Sequence, residues 1–159
     1  MKGIQTFEHI DDLDAESKYL VHKAKDAAHH AYAPYSKFHV GAAILLEDDT
    51  LVTGTNQENA AYPSGMCAER VALFAAAAQY PNKSIQKIAV VAKRKNAKEL
   101  IPAPPCGSCR QVLLEFESNQ NKPIQIVMQD GNHNWIIASS ASSLLPFSFT
   151  RQMLDAHHK

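Results

Sequence analysis

The stretch Ile85-Gln86-Lys87-Ile88-Ala89-Val90-Val91-Ala92 decides the fold. Ile88 to Val91 run apolar without a break, so this strand is covered on both faces and belongs in the middle of a sheet with helices above and below it. Upstream, the Ala- and Leu-rich stretch from Cys67 to Tyr80 ends against Pro81 and reads as a helix. Downstream, a loop with Pro102, Pro104 and Pro105 leads into another helix, Cys106 to about Ser118, whose Val112, Leu113, Leu114 and Phe116 are expected to face the sheet. Further out, apolar residues recur at helical spacing from about Leu13 to Ala31, stopping before Pro34. Phe38 to Leu46 and Thr50 to Thr55 flank the acidic turn Glu47-Asp48-Asp49 and predict a hairpin. Ile124 to Met128 and Trp135 to Ala138 are joined only by Gln129 to Asn134, too little chain for a parallel crossover, so they are expected to pair antiparallel. A short helix near Ser142 to Leu145 and a C-terminal helix from about Thr150 complete the expectation. It is an α/β three-layer sandwich, with a mixed five-stranded sheet flanked by helices and its last two strands antiparallel.

Composition narrows the function. The 159 residues carry 16 basic and 16 acidic side chains, 45% apolar residues and no repeat or Gly/Ser linker, which predicts one domain over residues 1–159. A net charge of zero offers no footprint for gripping nucleic acid. The longest apolar run, Val71 to Ala78, is far below the roughly 20 residues of a membrane span, and the acidic residues Asp11, Asp12 and Asp14 do not resemble a leader. A cytoplasmic protein with no membrane partner is expected. The eight histidines suggest metal binding, but His29 with His30 and His157 with His158 are adjacent pairs that point apart by about 100° on a helix, and solvation is the expectation.

The three cysteines carry the chemistry. An odd, small number in a reducing compartment points to a metal or to catalysis rather than to a disulfide framework. Cys67 opens one predicted helix; Cys106 opens another, with Cys109 one turn later on the same face. A helix N-terminus favours the thiolate that a soft metal needs, and zinc suits three sulfurs best. Three thiolates leave a tetrahedral zinc one ligand short, which is the mark of a catalytic rather than a closed structural ion. Glu69 lies two residues past Cys67, about 200° round the helix, so it is placed to reach water near the metal rather than the metal itself. Zinc with three thiolates sums to about minus one, and Arg70, on the face of Cys67, is the natural compensating charge.

Cys67-Ala68-Glu69-Arg70 and Pro105-Cys106-Gly107-Ser108-Cys109-Arg110 resemble the zinc deaminase signature of Cys or His, one residue, Glu, then Pro-Cys-x-x-Cys. Together with Tyr32-Ala33-Pro34-Tyr35-Ser36-Lys37-Phe38, Val40-Gly41-Ala42, Asn56-Gln57-Glu58-Asn59-Ala60-Ala61-Tyr62 and Leu144-Leu145-Pro146 they are similar, in order, to the cytidine deaminase family of free nucleosides, in its small tetrameric branch. The likeness runs from about residue 20 to residue 150. It implies one zinc per subunit and hydrolytic deamination of cytidine and deoxycytidine to uridine and deoxyuridine, with ammonia released. Glu69 would carry the proton. It also implies that Phe38 packs on the pyrimidine, that Asn56 and Glu58 bond the ribose, that the Ala68 backbone contacts the base, and that Phe149 enters a neighbouring subunit's pocket in a homotetramer. Phe147 stands beside Phe149 as the other aromatic of that segment. Pro63-Ser64-Gly65 replaces a cysteine-containing loop common in the family.

Other readings remain in view. Cys106 and Cys109 alone would suit a redox pair, but that leaves Cys67 and Glu69 without a role. A deaminase of another aminated nucleoside, such as a nucleoside antibiotic, would keep the metal and change the pocket. A non-catalytic zinc module would need a fourth protein ligand, for which His39 and His133 are the candidates. A polynucleotide editor is disfavoured by the neutral charge and by the short Gln129 to Asn134 connection. Tyr32 and Tyr35, flanking Pro34, read as packing residues, and Arg110 as a support for its own helix.

Overall fold

The computed structural model describes residues 1–155. The central expectation holds: Ile85–Arg94 (β4) is buried along nearly its whole length and lies inside the sheet, between Phe38–Leu46 (β2) and Gln125–Gln129 (β5). β2 pairs antiparallel with Leu51–Thr55 (β3) and with β4; β4 and β5 run parallel; β5 pairs antiparallel with Trp135–Ala138 (β6), as the short Asp130–Asn134 connection requires.

The sheet has six strands, not five. Ile4–Phe7 (β1) pairs antiparallel with β6, giving the order β1-β6-β5-β4-β2-β3. Four residues that are half exposed give little periodic signal, and what holds β1 in place is the free edge of β6, more than 120 residues away in the chain.

Helices cover both faces. Ala15–Ala28 (α1) buries Leu20, Val21 and Ala24 against Ala43, Leu45, Ala89 and Val91 on one side. Ala68–Gln79 (α2) and Gly107–Gln120 (α3) bury Ala72, Leu73, Leu113 and Leu114 against Ile44, Ile88, Val90 and Ile126 on the other. Residues alternate between the two cores along β2 and β4, which is why the middle of β4 had to be apolar throughout. α3 is the crossover between the parallel strands β4 and β5. The segment near Ser142 is a single turn of 3-10 helix, Ala141–Leu144, and Arg151–Asp155 forms a last short helix, α4. Among the described residues no helix is long and apolar enough to cross a membrane.

Two glycines bring the helices close. A Cβ on Gly41 would lie 1.9 Å from the Ala24 carbonyl oxygen of α1. A Cβ on Gly54 would lie 2.5 Å from the Ala72 nitrogen and 2.6 Å from the Ala68 carbonyl oxygen. The second contact seats the first turn of α2 directly on β3, and that turn carries Ala68, Glu69 and Arg70.

Candidate active site

Cys67 and Cys106 are the residues that precede the first turns of α2 and α3, each in extended backbone, and Cys109 lies in the first turn of α3. The two helix starts converge. Sγ of Cys67 and Cys106 are 3.9 Å apart and those of Cys106 and Cys109 3.6 Å, and all three sulfurs lie within 4.8 Å of one another. Zinc–sulfur bonds of about 2.3 Å at tetrahedral angles place sulfurs about 3.8 Å apart. The cluster therefore fits the ion in both ligand type and spacing.

The charge around the sulfurs fits a cation too. Hydrogen bonding from Cys109, with the nearby Arg70, holds the Cys67 thiol down at about 5, against the cost of burial. Cys109 moves the other way: its proton is retained by the bond to Cys67 and by burial. The surroundings thus favour a thiolate at Cys67 over Cys109. Arg70 donates from Nη2 to Cys67 Sγ at 3.5 Å, and that contact keeps its guanidinium protonated. Its buried Nε has no hydrogen-bond partner among the described residues, an orphaned donor on a side chain that already contacts these sulfurs.

Glu69 is 4% exposed in the first turn of α2. Burial, reinforced by the negative charge of Cys67, pushes its carboxyl up to about 6. A carboxyl titrating there both accepts and returns a proton near neutrality. It lies on the wall of a cavity of about 990 Å³ that also presents Cys67, Cys106 and Arg70.

The same cavity gathers Phe38, Asn56, Glu58 and Ala68, so the structure brings together every site residue expected from the sequence except Cys109, behind its wall, and Phe149. Phe38 at the start of β2 is half buried, its ring turned to the cavity rather than to either core. Asn56 follows β3 and pins the entry to β2: Oδ1 accepts from the Val40 amide at 2.9 Å and Nδ2 donates to the Phe38 carbonyl at 2.9 Å. Glu58 accepts from the Tyr35 and Ser36 amides at 3.0 and 3.1 Å and from the Ser36 hydroxyl. Phe149 is 56% exposed, and its carbonyl accepts from Gln111 Nε2 at 2.9 Å, away from this cavity; Phe147 is 97% exposed.

Several other residues are placed differently from the sequence expectation. Tyr35 and Tyr32 are both about half exposed, and Tyr35 packs edge-to-face against Tyr62 at 6.3 Å on the cavity wall rather than in a core. Arg94 lies beyond the apolar pattern of β4, which ends at Ala92, although the strand itself runs on to it. It lies in register with Phe38, its guanidinium 5.6 Å from the ring centroid on the cavity wall. No sequence signal marks that contact, which only strand pairing creates. Arg110 does support its helix, donating to the carbonyls of Pro105 at 2.8 Å and Leu144 at 3.3 Å. His29 is exposed but meets the buried Lys93 Nζ at 2.7 Å, and His157 and His158 lie outside the described residues. His39 turns to the Ala28 carbonyl at 3.3 Å and His133 sits in the β5–β6 turn. Among the described residues no fourth side chain joins the sulfur cluster, which leaves the closed zinc module without its ligand.

Three cysteine sulfurs spaced for zinc, with a buried carboxyl beside them on the wall of one cavity, fit a metal-dependent hydrolase. The family model for the cytidine and deoxycytidylate deaminase zinc-binding region matches residues 14–122. The chain is 41% identical to the cytidine deaminase of Sporosarcina psychrophila over 143 residues, 90% of this chain and 96% of that one. It is 40% identical to that of Halalkalibacterium halodurans over 88% of this chain and 98% of the other. A crystal structure of cytidine deaminase from Burkholderia pseudomallei superposes with a TM-score of 0.68 at 39% identity, covering 86% of this chain and all of its own. The chain belongs to the cytidine and deoxycytidylate deaminase family.

Proposed function

We infer that the protein catalyses the zinc-dependent hydrolytic deamination of cytidine and deoxycytidine, converting each with one water into uridine or deoxyuridine and ammonia. The observation that carries this is the placement of Glu69, a buried carboxyl held near neutrality, on the same cavity wall as the sulfur cluster. Zinc held by Cys67, Cys106 and Cys109, one per subunit, supplies a Lewis acid that lowers the pKa of water.

The chain's own residues do the rest. Glu69 takes a proton from the attacking water and delivers it to N3 of the ring as the oxygen adds at C4. It then takes the second proton from the hydroxyl added at C4 and passes it to the exocyclic nitrogen, so that the C4–N bond breaks, ammonia leaves and the C4 carbonyl forms. Arg70 offsets the negative charge of the sulfurs. Phe38 presents its face to the pyrimidine, the Ala68 backbone meets the base edge, and Glu58 and the free N–H of Asn56 take sugar hydroxyls. The cavity's lining, mostly apolar with a few amide and charged side chains, supports a free nucleoside rather than a polynucleotide.

The whole chain, 1–159, acts as one catalytic unit in this reading, in the cytoplasm, as a homotetramer in which Phe149 reaches a neighbour's pocket. The exposure of Phe149 and Phe147 and the position of Phe149 outside the lining of its own cavity support that assignment. Turnover measured by ultraviolet absorbance on cytidine, deoxycytidine, cytosine and cytidine monophosphate tests the function. Rapid loss of the two nucleosides and slow loss of cytosine are expected; inertness toward both nucleosides refutes the reading.

A further inference from the structure

We propose that Ser36 is a positioning residue whose hydroxyl locks the Glu58 carboxylate and the Phe38 wall into one prearranged sugar-binding unit. The proposal rests on the reading that Glu58 takes a sugar hydroxyl. Ser36 Oγ accepts the Phe38 amide at 3.0 Å and donates to Glu58 Oε2. An ionised carboxylate only accepts and the Phe38 amide only donates, so the Ser36 proton points toward Glu58 while one of the hydroxyl's two lone pairs takes the amide. Glu58 Oε1 is filled by the two amides of Tyr35 and Ser36. Of the roughly four lone-pair sites of the carboxylate, three are then engaged, and one on Oε2 is left for a ligand hydroxyl.

Phe38 is gripped from both ends of its peptide group. Its N–H goes to Ser36 and its carbonyl to Asn56 Nδ2. Arg94 closes the third side, its Nη1 3.4 Å from the Ser36 carbonyl oxygen and its guanidinium over the Phe38 ring. The chain between Ser36 and Phe38 turns through Lys37 at φ 58°, a left-handed conformation that these bonds hold in place. Removing the Ser36 hydroxyl frees Oε2 to rotate and unties Phe38 at the same time, so sugar binding loses its prearrangement while the metal and Glu69 are untouched.

The test compares Ser36→Ala, Ser36→Thr and Glu58→Ala on cytidine and on 2′,3′-dideoxycytidine, with zinc content and thermal midpoint measured for each. Ser36→Ala is expected to raise KM for cytidine about fivefold, the loss of one hydrogen bond, with kcat changed by less than about twofold. Ser36→Thr restores KM. On the dideoxynucleoside, which lacks the 2′ and 3′ hydroxyls, Ser36→Ala raises KM by less than on cytidine, the remainder coming from the loosened Phe38 wall, and a Glu58→Ala background shrinks its effect in the same way. A normal KM in Ser36→Ala alongside a raised one in Glu58→Ala overturns the coupling and spares the Glu58 role. A normal KM in Glu58→Ala overturns the Glu58 role itself. Equal losses on both substrates, or a fall in kcat with a lowered thermal midpoint, assign Ser36 to ordinary loop stability and overturn the proposal.

Discussion

Glu69 and its neighbours illustrate how backbone placement sets chemistry at single residues. The carboxyl titrates near 6 because α2 buries it, and because the Cys67 sulfur adds negative charge beside it. Glu69→Gln keeps the shape and hydrogen bonding of the side chain but cannot accept a proton. We expect turnover to fall by about 10²–10⁴-fold with zinc content unchanged, measured by absorbance and metal analysis on the same preparation. Sulfur spacing and the Glu69 position were legible in the sequence, because helical geometry alone puts Cys106 and Cys109 on one face and ties Glu69 to Cys67. Ser36, Tyr35 and Arg94 were not. Their contacts to Glu58, Tyr62 and Phe38 span 22 to 56 residues of chain and exist only once β2, β3 and β4 are paired.

The elements were legible where the hydrophobic period was unbroken, as in β4, and less so at their ends. α1 begins at Ala15 rather than Leu13 because Asp14 caps it: Oδ1 accepts from the Ser17 amide at 2.8 Å and Oδ2 from the Ser17 hydroxyl at 2.7 Å. It ends at Ala28, short of Ala31, where the chain turns toward Pro34. The cap is also an anchor. Lys87 of β4, 5% exposed, reaches Asp14 at 3.3 Å and Glu16 at 3.1 Å, which makes a buried lysine tolerable within the sheet. Burial opposes ionisation of Asp14, but the Ser17 bonds and Lys87 outweigh it and hold the carboxyl below its ordinary 3.8. A depressed carboxyl stabilises the fold above its unfolded pKa, and the gain disappears as pH falls through the folded value. Asp14→Ala should therefore cost about 1 kcal/mol at neutral pH in denaturant titrations, and the difference from the native chain should shrink below pH 3.8. A gap independent of pH would remove the ionised cap from the account.

Across the whole molecule, one sheet serves two cores while its α2–α3 side carries the site at its end, where two helix N-termini meet above β2 and β3. β1 escaped the sequence reading because a four-residue edge strand is specified by its partner more than by its own pattern. The aromatic side chains left outside are equally informative: Phe147 is 97% exposed and Phe149 56%, on the segment that the homotetramer reading places against a neighbouring subunit. We expect light scattering to give four times the 17.5 kDa chain mass, and a mass of one chain with full activity would contradict the assembly. The metal is the point on which the rest turns, and zinc stoichiometry with cytidine turnover, followed on one preparation through chelation and reconstitution, tests it most directly. The account predicts one zinc per chain, turnover that disappears with the metal and returns with it, and neither in Cys106→Ala; undiminished turnover in metal-free protein would contradict it.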